Sequence, residues 1–285
     1  MFSKIIEIYD EVERLGDPKV KTWFLMNSMW FPITIIFAYL YFILILGPRL
    51  MKNRKAFDIN KVIIIYNIAQ VIFNLYLFKL STDYALRNIH SFRCFRVYSA
   101  DTENGHLARV ANWLFTLNKL MDLLDTIFFV MKKKQSHVSF LHVYHHVLTF
   151  TGCWAMSKYL PGGQLVVLGV LNSFVHCVMY SYYLLSLMDR FKKISSFIKK
   201  HITQMQIIQF LLAACHAVYG ITDPTCDYPK SLLYFGLTQA FMLTALFLNF
   251  YRKAYFNKKS HNNKTDHQLH NGNGSLRNGL TKKIH

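Results

Sequence analysis

Acidic side chains are scarce in this chain: 15 Asp and Glu stand against 33 Lys and Arg, a formal net charge of +18 over 285 residues. Also missing are a CxxC pair, an HExxH string and any pair of Gly/Pro-interrupted apolar segments in matching positions. Each absence excludes a class. Five cysteines without ligand spacing do not form a metal or redox motif. Without HExxH the zinc-protease reading fails, and without matched broken helices a repeat-built transporter loses its signature. No cleavable leader is evident, because the first residues mix charges (Lys4, Glu7, Asp10, Glu11, Glu13, Arg14) and the first apolar run is long enough to span a bilayer. Strong basicity raises nucleic acid as a partner, but no basic, aromatic-interleaved soluble module is present, so no nucleic acid is expected.

What the chain does have is apolar content, 53% of residues with 16% aromatic, arranged in blocks with the bases mainly between them. That pattern reads as an all-α polytopic membrane protein. Seven transmembrane helices can be drawn, at about 24–46, 62–80, 112–131, 138–156, 163–187, 203–221 and 231–251. They divide the chain into a 1–23 N-terminal segment, a 24–251 membrane domain and a 252–285 basic tail expected to be disordered. Segments 47–61, 132–136 and 188–202 and the tail hold 21 Lys and Arg, and the opposite set holds 11. The positive-inside rule then makes the tail cytosolic and the N-terminus lumenal. Cys94 and Cys226, the two cysteines outside the spans, fall on the oxidising side, where a disulfide between them is expected. Sequons at Asn263 and Asn273 fall in the cytosolic tail and read as chance matches.

The spans carry polar faces. His142, His145 and His146 at i, i+3 and i+4 occupy an arc of ~100° on one helix. Asn67, Gln70 and Asn74 share a stripe that reads as helix–helix glue. Lys119, Asp122, Asp125 and Thr126 lie within one span, where ionisable groups are costly. They form either an internal ion pair or a device that positions a catalytic histidine or a cofactor amide. Asn172, His176, Met179, Tyr180 and Tyr183 make another stripe, with Tyr182 beside it. Thr203, Gln206 and Gln209 make a further one, and His216 reads as structural. Measured from the cytosolic ends, His145, Asp125, His176 and Gln206 sit ~8–18 Å deep, which implies one polar chamber open to the cytosol. Lys132, Lys133 and Lys134 at its mouth are either plain positive-inside charges or a docking patch for a phosphorylated substrate.

Two chemistries fit a histidine box. His142 and His146 could pinch a metal, as in a membrane lipid desaturase or hydroxylase, but those enzymes need about eight histidines in several boxes. Metal-free, an imidazole can take an acyl group from a thioester and pass it to a carbon nucleophile, with a second His fixing the tautomer and Asn or Gln stabilising the oxyanion. A seven-helix receptor explains none of these buried groups.

The strings Lys-Leu-Met-Asp-Leu-Leu-Asp-Thr (119–126), Phe-Leu-His-Val-Tyr-His-His (140–146), Asn-Ser-Phe-Val-His-Cys-Val-Met-Tyr-Ser-Tyr-Tyr (172–183) and Thr203-x-x-Gln206-x-x-Gln209 resemble those of very-long-chain fatty acid elongases of the animal type. Asp122 departs from the Glu usual in that family. The resemblance implies six helices forming a closed barrel around an acyl tunnel, with a seventh beside them. It also implies condensation of a long-chain acyl-CoA with malonyl-CoA to 3-oxoacyl-CoA, CO2 and CoA. His145 would carry the acyl group, with His176 as partner and Asn172, His142 and His146 around them. Lys119, Asp122, Asp125, Lys132, Lys134, His137, Tyr180, Tyr182, Tyr183, Thr203, Gln206 and Gln209 would bind substrate. No metal or redox cofactor is implied, since NADPH belongs to the reductases of later steps. The expected partners are a 3-oxoacyl-CoA reductase, a 3-hydroxyacyl-CoA dehydratase and an enoyl-CoA reductase, and a homodimer is left open. Lys282 and Lys283 resemble a dilysine retrieval signal, which places the protein in the endoplasmic reticulum membrane.

Overall fold

The structure is a computed structural model that describes residues 2–95, 97, 102–188 and 192–256. Among the described residues the backbone forms eight helices, counting each π-turn with the helix it continues, and its one β-type pairing is an isolated Val97–Gly162 bridge. They are α1 (Phe2–Arg14), α2 (Trp30–Met51), α3 (Asn60–Arg87), α4 (Glu103–Met131), α5 (Phe140–Tyr159), α6 (Leu165–Ser186), α7 (Lys192–Thr222) and α8 (Lys230–Phe256). The tail from 257, with Asn263, Asn273, Lys282 and Lys283, lies outside the described residues.

Five of these helices are long and apolar enough to cross a membrane: α2, α3, α6, Phe197–Thr222 of α7, and α8. With large apolar residues such as Phe37, Ile65, Ile72 and Phe241 exposed on their outer faces, the protein is a multi-pass membrane protein. The α4 and α5 helices, at 29 and 20 residues, have the length but not the hydropathy. Lys119, Asp122 and Asp125 dilute α4, and three histidines and Lys158 dilute α5. These are the groups that the packing turns inward, where protein rather than lipid surrounds them.

The helices close on themselves. Packing runs from α3 to α4, α4 to α5, α5 to α8, α8 to α7, α7 to α6, and α6 back along α3, which is the most extensive interface. Outside this ring, α2 lies against α4 and α5. Its centre is a π-turn at Phe42–Leu46 just before Gly47-Pro48. Proline has no N–H for an i−4 bond, so the wider turn takes up the mismatch. At Gly47 a Cβ would meet Val130 Cγ1 of α4 at 2.6 Å, so the crossing of α2 and α4 requires glycine.

The first span begins later than the 24–46 expected from hydropathy. Leu25 takes φ 70°, and Val20, Leu25 and Met26 fold under Trp154 instead of continuing the helix. Their segment is held by Trp113 Nε1 donating to the Phe24 carbonyl (3.0 Å) and Trp154 Nε1 to that of Leu25 (2.8 Å). Two buried ion pairs fasten the same N-terminal stretch to the ring: Lys158 with Glu13 (2.6 Å) and Arg109 with Asp17 (2.8 Å). Cys94 and Cys226 are joined in a disulfide. At the opposite end Lys133 Nζ donates to the Arg54 carbonyl (3.0 Å), and the Phe57 amide to the carbonyl of Met131 (3.1 Å).

Candidate functional site

The turn between α4 and α5 sets the register of the histidines. Lys133 adopts φ 55°, and the amides of Lys133 and Lys134 return to the carbonyls of Val130 (3.0 Å) and Phe129 (2.8 Å), closing α4 with a Schellman pattern. Ser139 then caps α5, its Oγ accepting from the His142 amide at 3.3 Å. The three histidines therefore lie in the first two turns of α5.

Each imidazole has a different neighbourhood. His142 Nε2 is 2.9 Å from Thr126 Oγ1, which in turn is 2.7 Å from the Tyr39 hydroxyl, so α2, α4 and α5 are linked through it. The His146 ring packs edge-on against His142, with centroids 4.3 Å apart. His145 turns the other way, its ring 6.4 Å from that of Phe210 on α7 and 6.3 Å from Phe247 on α8. Among the described residues the His145 ring nitrogens take no hydrogen bond. An imidazole with a free lone pair, flanked by two phenyl rings, can act as a nucleophile.

The larger polar cluster spans α3, α4 and α6. Lys119 Nζ donates to Asp122 Oδ2 and Asn172 Oδ1, each at 2.7 Å, and lies over the Phe115 ring. Gln70 Nε2 donates to the other oxygen of Asp122 (2.8 Å), and Asn118 Nδ2 donates to Gln70 Oε1 (2.8 Å). The Tyr180 hydroxyl lies 2.9 Å from Asp122 Oδ1 and 2.7 Å from Asp125 Oδ2. The Tyr66 hydroxyl is 3.2 Å from that of Tyr180. His176 Nδ1 stands 3.5 Å from Asp122 Oδ2, buried and without a hydrogen-bond partner among the described residues. An ion pair this dry is costly unless every lone pair is met, and Gln70, Asn172 and Tyr180 meet them here.

Sequence reasoning missed Tyr66 and Asn118, and it assigned Gln70 to glue. Gln70 does bridge helices, but its partner is the central carboxylate. The available signal was spacing, since Tyr66, Gln70 and Asn74 recur every four residues along one face of α3. At the cost of charge in an apolar interior, that face had to meet a polar one.

Other expected residues lie apart from this cluster. Lys132 bonds the Asn60 side chain at the start of α3, while Lys134 is exposed on the turn. His137 stacks on Phe129 (5.1 Å), which also touches His142 (5.4 Å). Partial burial, then the nearby Lys134 and Lys199 ammoniums, hold His137 below the usual imidazole range. Tyr183 packs between Tyr180 and Tyr182, with centroids 5.8 and 5.7 Å away. On α7, Thr203 and Gln209 are buried and Gln206 Nε2 approaches Met179 Sδ at 3.7 Å, so that helix meets α6 at the cluster's edge. Outside the rings, His216 Nε2 is 2.9 Å from the Phe92 carbonyl, tying α7 to the loop that carries Cys94. Among the described residues no three His, Cys, Asp or Glu side chains converge as metal ligands.

Comparison with known proteins bears on this arrangement. Residues 24–263 match the ELO: GNS1/SUR4 family model. The chain is 38% identical over 248 residues to very long chain fatty acid elongase 7 of Drosophila melanogaster, covering 86% of this chain and 75% of that one. It is 36% identical over 283 residues to elongase 4 of Mus musculus, covering 99% and 88%. With elongase 4 of Homo sapiens it shares 37% over 254 residues, covering 88% and 79%.

Proposed function

The chain belongs to the ELO (GNS1/SUR4) family, and from that premise we propose that His145 carries the acyl group in a two-step condensation. The protein is the condensing enzyme of very-long-chain fatty acid elongation, a membrane-embedded acyltransferase acting on acyl-CoA. The observation that carries the assignment within the site is the His145 ring, free of hydrogen bonds and set between Phe210 and Phe247. Its nitrogen attacks the acyl thioester and releases CoA. Malonyl-CoA then loses CO2, and its carbon takes the acyl group, giving 3-oxoacyl-CoA. Lys119 holds Asn172, whose amide can face the developing oxyanion. A chamber walled by apolar helices favours loss of a charged carboxylate as neutral CO2.

The neighbour order supports seven transmembrane helices, α2 to α8, with α3 to α8 as a closed barrel around an acyl tunnel. In this reading the Lys133 end is cytosolic and admits both CoA esters, with Lys132, Lys134 and His137 at the mouth. The N-terminal segment and the disulfide face the lumen of the endoplasmic reticulum. The substrate-binding and catalytic roles of the other side chains, the dilysine signal and the successive reductase, dehydratase and second reductase partners belong to the same reading. So does an enzyme free of metal and redox cofactor, with a homodimer left open.

The test is purified protein with malonyl-CoA and acyl-CoAs of increasing length, without NADPH, read by mass. We expect a keto product two carbons longer from wild type, made by metal-free protein and lost with His145→Ala. Absence of product from every acyl-CoA, with stoichiometric bound iron or zinc, would instead make His142 and His146 a metal box.

A further inference from the structure

The two half-reactions differ in their proton count. In acylation the His145 nitrogen lone pair forms the C–N bond. The C–S bond breaks onto sulfur, and the ring N–H proton leaves with the thiolate as CoA-SH, so that half is balanced. In condensation the malonyl carboxylate leaves as CO2, and its C–C pair makes the new bond to the acyl carbon. The acyl C–N bond breaks with its pair on the ring nitrogen. That nitrogen must then take one proton to become neutral imidazole again. Each turnover therefore draws one proton into a site walled by apolar helices.

Around Tyr180 the structure holds a chain suited to supply it. A phenol has one proton, yet this hydroxyl lies within hydrogen-bond distance of both Asp122 (2.9 Å) and Asp125 (2.7 Å). Asp122 is met by Lys119 and Gln70. Among the described residues Asp125 makes no ion pair with a cation. Two carboxylates and one ammonium leave one negative charge, which an apolar interior disfavours. One added proton neutralises the cluster and supplies a donor at every link from Asp125 through Tyr180 to Asp122. Asp125 is the half-buried member and lies three residues nearer the Lys133 end than Asp122. At the inner end His176 Nδ1, buried and unbonded, is 3.5 Å from Asp122 Oδ2.

We propose that Asp125, Tyr180 and Asp122 form a proton relay that ends on His176 and delivers the proton consumed by condensation. Asp125 is the entry and Tyr180 the switch between the two carboxylates. His176, whose ring packs on that of Tyr180 with centroids 5.8 Å apart, is the exit. The inference rests on the acyl-histidine reading above.

Separating the half-reactions tests it. Acyl-CoA alone gives acylation, read as CoA release and as acyl mass on the protein. Malonyl-CoA added to the acyl-enzyme gives condensation. Asp125→Asn and Tyr180→Phe keep the shape but cannot pass a proton. Each is expected to slow condensation about 10²-fold more than it slows acylation, the scale of a general acid–base contribution. The pH profile of the condensation step should change with it, and Asp125→Glu should restore most of the rate. Equal slowing of both halves, or wild-type condensation in either folded variant, would overturn the relay and leave the acyl-histidine reading standing. Wild type that forms no acyl-His145 overturns that reading itself, and is seen before any variant is made.

Discussion

Lys119 is the residue on which the buried cluster depends. Its ammonium holds Asp122 and Asn172, each at 2.7 Å, and both it and Asp122 are almost wholly buried. Breaking such a pair strands a charge, at a cost of about 3–5 kcal/mol. Lys119→Met should lower thermal stability in detergent by that amount, and adding Asp122→Asn should recover most of it, because the amide keeps an oxygen for Gln70. A thermal-melt double-mutant cycle reads the coupling. Recovery that fails to appear would mean the cluster does not depend on this pair. The same crowding limits what position 122 accepts. With Lys119, Gln70 and Tyr180 already at bonding distance, a longer side chain has no room without a shift of its partners.

At the scale of elements, close approach is decided by single small residues. A Cβ at Gly47 would sit 2.6 Å from Val130 Cγ1. Gly47→Ala should therefore push α2 from α4 and cost about 1–3 kcal/mol, even though alanine is the better helix former. Pairing it with Val130→Ala should relieve only the part made by the valine, because the Phe42 carbonyl would still stand 2.8 Å from the new Cβ. Stability unchanged in the single variant would show that the crossing is looser than drawn. The π-turn beside this glycine follows from Pro48 and needs no functional cause. The α4 and α5 helices illustrate a limit of hydropathy. They supply the histidines, the lysine and the aspartates, and they are not among the five helices apolar enough to cross a membrane.

For the whole molecule, the long-range ties gather at the end opposite Lys133. There a disulfide links residues 132 positions apart, and two buried ion pairs dock the N-terminal stretch. Cross-links over long loops act mainly on the unfolded chain, and removal of a native one costs about 2–5 kcal/mol. Cys94→Ala with Cys226→Ala should lower the melting temperature while leaving the acylation proposed for His145 nearly intact, since His145 lies in the first two turns of α5, near the Lys133 end. Lost acylation in a variant that still folds would show that the two ends are coupled.

By itself the sequence determined the helical class and the membrane setting, and it offered candidate residues for the site. Those follow from local quantities: apolar run length, charge between runs, and polar residues at helical spacing. Six segments were legible as helices, within a few residues at many boundaries, as for 163–187 against Leu165–Ser186, although those drawn from 112 and 203 begin earlier, at Glu103 and Lys192. The first span was not, because the bend at Leu25 is held by Trp113 and Trp154 from distant helices. Tertiary structure alone decided which polar faces meet. Gln70 could have bonded any neighbouring helix, and only the packing of α3 on α4 turns it onto Asp122. Likewise His142, His145 and His146 are equivalent in sequence pattern. The helices around α5 give the first a Thr126 partner, pack the second beside Phe210 and Phe247, and bury the third. Spacing along a helix fixes a face, but the partner of that face is a property of the closed ring.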